Sequence, residues 1–258
     1  MSGKLVDLSR ALQNTESDDP PGLAPRIEYM GHHDTTERML QFFPGVTLDQ
    51  LPRGEGWAVE MVHISTHNGT HLDAPYHFHS TMNNGERAIT IDEVPLEWCI
   101  GDGVKLDFRH FDDGCVATAE DVATELERIG HRLQTGDIVV VNTGAAAHYG
   151  TDKFVNSGCG MGREATLYLL ERGVRVTGTD AWSWDAPFVF TAGRVKKTGN
   201  ADLIWEGHRA GMEIGYCHME KLANLEELPA TGFEIMCFPV KIKAASAGWC
   251  RCVARLKA

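Results

Sequence analysis

Apolar residues recur along this chain at two periods, and each change of period marks out an element. Trp57–His67 (WAVEMVHISTH) alternates apolar and polar with the two-residue period of a strand, which sets Met61, His63, Ser65 and His67 on one face. Gly103–Phe108 reads as a second strand and Gly136–Val141 as a buried one. Between them, Thr118-Ala-Glu-Asp121 has the form of a helix capping box with Asp in place of the usual Glu. Val122, Leu126 and Ile129 then fall on one helical face, and Gly130 supplies a left-handed terminus. A second helix is expected over residues 162–172, closed by Gly173, and then a strand over Val174–Asp180. A third helix follows around Ile204–Ile214, with closing strands at Phe233–Ile242 and Trp249–Leu256. Residues 14–56 hold Asp18-Asp19-Pro20-Pro21-Gly22 and Pro52-Arg53-Gly54, and read as a long surface excursion, functional or packed on a partner subunit. Helices and strands alternate in the middle while both ends are strand-rich, which predicts an α/β fold with a mixed sheet in a single domain over residues 1–258.

Composition narrows the function classes. The 258 residues, 43% of them hydrophobic, are enough for a large core. A formal net charge of -12 repels nucleic acid and anionic membrane, so neither is an expected partner. The chain has no apolar run long enough to span a bilayer, and MSGKLVDLSRALQ at its start has no apolar segment of the secretory kind, so a cytoplasmic protein is expected. The seven cysteines are odd in number and scattered, with no C-x-x-C pair, which favours reduced thiols, most of them small core residues.

The chemistry concentrates in STHNGTHLDAPYHFH, residues 65–79, where four of fifteen positions are histidine. Five of the chain's twelve histidines lie between His63 and His79. His67 and His71 are four apart, but Asn68-Gly69 is a turn signal and Pro75 disfavours a helical Ala74, so they do not share a helix. A strand that ends at His67 and bends sharply at Gly69 folds His71 back toward His67. Asp73 then points the same way as His71, two residues on in an extended segment. Two imidazoles and a carboxylate converging on one point make a three-ligand site with open positions, suited to Zn²⁺, Mn²⁺ or Fe²⁺. His63 is read as structural, His79 is left unassigned, and His77, beside the centre, is placed to accept a proton.

His67-x-Gly69-Thr70-His71-x-Asp73-x-Pro75-x-His77 resembles the signature of the metal-dependent cyclase-like hydrolases, a group that includes bacterial kynurenine formamidase and isatin hydrolase. Asp7-Leu8-Ser9, Gly178-Thr179-Asp180, the pair His208 and Glu220, and Leu225-Glu-Glu-Leu-Pro229 extend the resemblance over nearly the whole chain. It implies a swivelling β/α/β fold, usually a homodimer or higher oligomer. His67, His71 and Asp73 would hold the first metal, with His77 as general acid/base. In formamidase-like members His208 and Glu220, with Asp73 bridging, would hold a second metal. In isatin-hydrolase-like members one Mn²⁺ suffices and the late His assists the chemistry. Gly158-Cys-Gly-Met-Gly-Arg-Glu-Ala165 and Asp180-Ala-Trp-Ser-Trp-Asp-Ala-Pro187 are more similar to the isatin hydrolase branch, whereas Glu220 keeps the formamidase option open. Trp182 and Trp184 either line a flat aromatic pocket or pack in the core.

The expected reaction is hydrolysis of a cyclic amide such as isatin to isatinate, by water activated on one divalent ion, Mn²⁺ or Zn²⁺. His77, with His208 and Glu220 as further catalytic candidates, would move protons on a small aromatic amide substrate. Arylformamide or lactone hydrolysis needs the same parts. No Gly-x-Ser-x-Gly elbow is present to supply a protein nucleophile. Two other classes compete: a non-haem iron oxygenase, which shares the His-x-Asp spacing but belongs to all-β folds, and a non-catalytic metal-binding protein.

Overall fold

The computed structural model describes residues 3–14, 19 and 22–257; Asp18, Pro20 and Pro21 of the expected excursion lie outside them. Nine strands make one mixed sheet: β1 (Leu5–Asp7), β2 (His71–Asp73), β3 (Ile100–Asp107), β4 (Ile138–Asn142), β5 (Val176–Thr179), β6 (Cys217–Glu220), β7 (Phe233–Met236), β8 (Ala247–Trp249) and β9 (Val253–Leu256). Their order is β1-β9-β7-β3-β4-β5-β6-β2-β8. The central strands β3, β4, β5 and β6 run parallel, and the flanking pairs are antiparallel. The helices are α1 (Thr36–Phe42), α2 (Pro75–Phe78), α3 (Ala119–Arg128), α4 (Arg163–Leu170), α5 (Phe188–Thr198) and α6 (Glu206–Arg209).

This sheet curls on itself. β8 is one edge and β9 sits one strand in from the other, yet only residues 250–252 join them. Four extended steps reach at most about 14 Å, so the two edges must lie close together. The chain stitches them on the way: Cys250 N–H donates to Thr70 O at 3.2 Å, and Leu8 N–H donates to Cys252 O at 2.9 Å.

Strand alternation divides the core. Ile138 and Val140 of β4 pack inside the curl with Leu72, Cys217, Met219 and Ile235. Val139 and Val141 pack on the other face with Val122 and Leu126 of α3 and Ala165 and Leu169 of α4. The same rule turns His71 and Asp73 of β2, and His218 and Glu220 of β6, away from the curl. β2 and β6 are antiparallel neighbours with His218 opposite Asp73 and Glu220 opposite His71, so all four side chains meet on one face.

The capping box forms as the sequence predicts. Asp121 N–H donates to Thr118 Oγ1 at 3.2 Å, and Thr118 N–H donates to Asp121 Oδ2 at 2.8 Å. Gly130 has φ +67, and His131 N–H closes the helix end on Leu126 O. Other expectations are corrected. Residues 14–56 are not all loop: Arg26–Met30 pairs with Val59–His63 as an antiparallel ribbon, and α1 follows the first of these strands. The strand expected to run to His67 stops at His63, because Asn68 turns the chain by accepting from Ser65 N–H at 2.7 Å. The helix expected over Ile204–Ile214 is only α6 and a 3-10 turn at Ala210–Met212. The longer α5 was not predicted, since Phe188-Val-Phe and Gly193 give it poor local helix propensity. The strand from Phe233 ends at Met236, before Pro239, and Trp249 belongs to a separate strand from Val253–Leu256. All seven cysteines are free and six are buried. No helix among the described residues is long and apolar enough to cross a membrane.

Candidate metal centre

Three short segments present the site: the turn into β2 with α2, β6, and α6. The first is the turn before β2. Gly69 has φ +58, and a Cβ there would sit 2.7 Å from Leu12 Cδ2, so both the backbone and the packing call for glycine. This bend brings His67 back over the strand, with its Nδ1 2.9 Å from Asp73 Oδ1. His71 Nε2 lies 3.3 Å from the same oxygen and 3.6 Å from Glu220 Oε2. Gly69 O, 2.9 Å from His71 Nδ1, accepts that nitrogen's proton and leaves Nε2 with its lone pair. His67 Nε2 lies 3.0 Å from Ser246 Oγ.

The second segment is β6. His218 Nε2 lies 3.1 Å from Asp73 Oδ2 and 3.2 Å from Glu220 Oε1. His208, on α6, brings Nε2 within 3.7 Å of Glu220 Oε1. Its other nitrogen meets Asp185 in a short contact, and Asp185 also accepts from Gly207 N–H at 2.9 Å and His208 N–H at 3.0 Å. A carboxylate thus fixes the ring's direction and tautomer. Trp184 N–H donates to Glu220 Oε1 at 3.0 Å.

His77 sits at the rim. Pro75 starts α2, and this single turn carries His77 back so that its Nε2 is 3.8 Å from Asp73 Oδ2. Its ring packs 4.1 Å from His67 and 5.2 Å from Trp205 between centroids.

Burial and charge set the protonation. Burial is the largest influence on His77 and, against the pull of Asp73, brings its pKa down to about 4, so the ring is neutral near pH 7 and free to take a proton. Burial also acts to lower His218, but Asp73 and Glu220 together outweigh it and lift the imidazole to about 9. Burial would raise Glu220, yet the His218 imidazole 3.2 Å away brings it down to about 2. Asp73 is likewise opposed by burial but held well below the usual carboxylate range by His77, His71, His67 and His218. Both central carboxylates are therefore anionic. His71 Nε2, His218 Nε2 and both Asp73 oxygens are nonetheless buried without a well-formed hydrogen bond. Orphaned donor atoms of this kind, aimed at one another, fit a divalent cation. Donor atoms close enough to share an ion form two overlapping groups: His67, Asp73 and His77, and Asp73, His208, His218 and Glu220.

A cavity of about 210 Å³ opens onto the His67 side, walled by Trp182, Phe188 and Trp205. The two tryptophans of the Asp180–Pro187 stretch part company. Trp184 is buried, with its Nε1–H donating to Thr166 Oγ1 at 3.0 Å, while Trp182 lines the cavity and donates to Asp19 Oδ1 at 3.1 Å. Trp205 stacks on His208 at 4.6 Å between centroids with 8° between planes.

All six residues singled out in the sequence, His67, His71, Asp73, His77, His208 and Glu220, meet here. His63 does not: it is exposed on the ribbon opposite Arg26. His79 is exposed too, with its Nδ1 3.0 Å from Thr81 Oγ1. Sequence reasoning missed His218, Asp185, Trp205 and Lys221. Only His218 left a signal: in Cys217-His-Met-Glu220 the two-residue period puts His218 beside Glu220.

The model of the family described as "Putative cyclase" matches residues 6–186. The kynurenine formamidase of Erythrobacter litoralis (strain HTCC2594) is 27% identical over 206 residues, 80% of this chain and 81% of the relative. Among solved structures, an isatin hydrolase bound to the product analogue thioisatinate superposes with a TM-score of 0.75 at 20% identity, over 100% of this chain and 94% of the other. Isatin hydrolase A from Labrenzia aggregata, bound to benzyl benzoate, gives a TM-score of 0.72 at 25% identity, over 99% of this chain and 94% of the other.

Proposed function

Because the chain belongs to the cyclase family, we propose that it is a metal-dependent hydrolase that opens a cyclic amide next to an aromatic body, with isatin as the representative substrate. The observation that carries this reading is the convergence of imidazole nitrogens on two buried carboxylates at the mouth of an aromatic-walled cavity. His67, His71 and Asp73 would hold a divalent ion, which when bound supplies Lewis acidity and an activated water. His77, neutral at working pH, takes the proton from that water and returns it to the departing nitrogen. Trp182, Phe188 and Trp205 take the flat substrate between them and exclude bulk water. His208, oriented by Asp185, stands where it can hydrogen-bond the polarised carbonyl or hold a second ion with Glu220.

An arylformamidase is the second reading, favoured by the retained His208 and Glu220 pair and by the kynurenine formamidase relative. A panel of isatin and N-formylkynurenine, run with metal-depleted and metal-loaded protein, separates them. Ring opening of isatin supports the first reading; rapid cleavage of N-formylkynurenine with none of isatin reverses the order. We read the chain as a homo-oligomer as well, since Tyr29, Phe42, Phe43, Met61 and Val62 stand exposed on the ribbon and α1. Light scattering tests this, and a monomer at all concentrations counts against it.

A further inference from the structure

The cavity beside His67 is small. Its volume of about 210 Å³ falls short of the about 300–1,000 Å³ usual for a small-molecule site. A second cavity, a groove of about 540 Å³, lies between α5 and Ile204–Trp205, and the two share Phe188 and Trp205 as walls. We propose that this groove is an outer subsite of the same active site. The substrate then carries an apolar arm, an alkyl chain or a second ring, on the edge of its aromatic body away from the hydrolysed amide. This substrate class rests on the hydrolase reading above.

The lining suits a hydrocarbon guest. Ala192 and Val195 of α5 and Ile204 opposite them supply it, and Phe188 and Ile204 are left 48% and 44% exposed. A continuous apolar surface left open to water marks a contact site. The buried polar groups of the lining are already committed. Asp185 accepts from Gly207 N–H at 2.9 Å and from His208 N–H at 3.0 Å. Thr191 Oγ1 donates to Ala186 O at 3.3 Å and accepts from Arg194 Nη2 at 3.1 Å. Lys196, the other charged residue of the lining, is exposed and can keep its ammonium in water while its stem extends the apolar wall.

The partition between the two cavities is a pair of rings held unequally. Phe188 and Trp205 stand 6.4 Å apart between centroids, at 52°. Trp205 is fixed by its stack on His208, and its left-handed backbone is of the costly kind that persists where the surrounding structure enforces it, commonly at functional sites. Phe188 is the first residue of α5, half-exposed, and meets Trp182 edge-on at 5.5 Å. Rotation of the Phe188 side chain therefore joins the cavities without moving Trp205 or His208. A flat body whose amide faces His67 and His77 then sends its far edge, para to the amide nitrogen, past Phe188 into the groove.

Steady-state kinetics on isatin and formanilide, each with and without a butyl group para to the nitrogen, test this with metal-loaded protein. A fully buried methylene is worth about fourfold in binding, and an open groove realises part of that. The butyl compounds should gain at least about tenfold in kcat/KM, mostly through KM, because the arm binds ground state and transition state alike. Ala192→Trp fills the groove from an exposed position of α5, and Val195→Asp puts a charge in it. In both variants the ratio of kcat/KM for butyl over unsubstituted substrate should fall to near one. A crystal structure with a butyl-bearing product should show the chain against Ala192 and Val195. No butyl advantage in wild type, an advantage unchanged in both variants, or a second copy's side chain seated in the groove overturns the subsite, while turnover of the unsubstituted compounds leaves the hydrolase reading intact. Metal-loaded protein that cleaves none of the four compounds overturns both.

Discussion

Lys221 follows Glu220 directly and is the buried cation of the site. Its side chain is 2% exposed and pairs with Asp19, itself 6% exposed. Its ammonium also donates to His67 O at 2.9 Å, and so ties down the backbone of a predicted ligand. Asp19 has two further donors, Asn68 Nδ2 at 2.6 Å and Trp182 Nε1 at 3.1 Å. Lys221→Met keeps the alkyl stem and the same left-handed backbone, φ +59, so the change isolates the charge. Removing one member of a buried pair typically costs about 3–5 kcal/mol. With two of its three donors left to Asp19, the lower end applies, about 3 kcal/mol. At about 2–4 °C per kcal/mol for a chain of this size, melting should fall by about 6–12 °C. Adding Asp19→Asn to Lys221→Met should recover part of that loss, because the unpaired charge disappears. Thermal melts of both variants check this. A Lys221→Met protein that melts within about 2 °C of wild type, or a double variant no more stable than the single, would refute a desolvated pair.

The remaining predictions concern the site and the thiols. His77→Ala should lower turnover by roughly 10²–10⁴-fold with metal content unchanged, measured by steady-state kinetics beside elemental analysis; loss of metal would make His77 a ligand instead. Asp185→Asn should weaken His208's orientation and cost about 10–100-fold in activity or metal affinity, read by kinetics and metal titration. Of the seven cysteines only Cys115 is exposed, and burial pushes the thiols of Cys159 and Cys250 up to about 12. A colorimetric thiol reagent should therefore modify one cysteine in native protein and all seven after denaturation.

The sequence discloses the first half of the site because its logic is local. Gly69 bends, β2 alternates, and Pro75 starts a turn, so His67, His71, Asp73 and His77 converge through contacts within eleven residues. The central elements were legible for the same reason: the Thr118–Asp121 box, Gly130 and the buried Ile138–Asn142 strand are all set by neighbours in the chain. The second half depends on register. His218 reaches Asp73 only because β6 lies antiparallel to β2 with those two residues opposite, and no local signal states that pairing. Asp185 anchors His208 across twenty-three positions, and Trp205 lines the cavity through a left-handed backbone, φ +56, that its type rarely adopts. α5 escaped notice because packing on the fold, rather than propensity, makes it a helix.

Elemental analysis and hydrolysis measured together on wild type and His71→Ala test the central claim most directly. His71 is fully buried, its Nδ1 is committed to Gly69, and its Nε2 faces both central carboxylates. The account predicts a divalent metal and hydrolysis of isatin or N-formylkynurenine in wild type, with hydrolysis and the ion held by His67, His71 and Asp73 lost in His71→Ala. A His71→Ala protein that keeps full activity would contradict it.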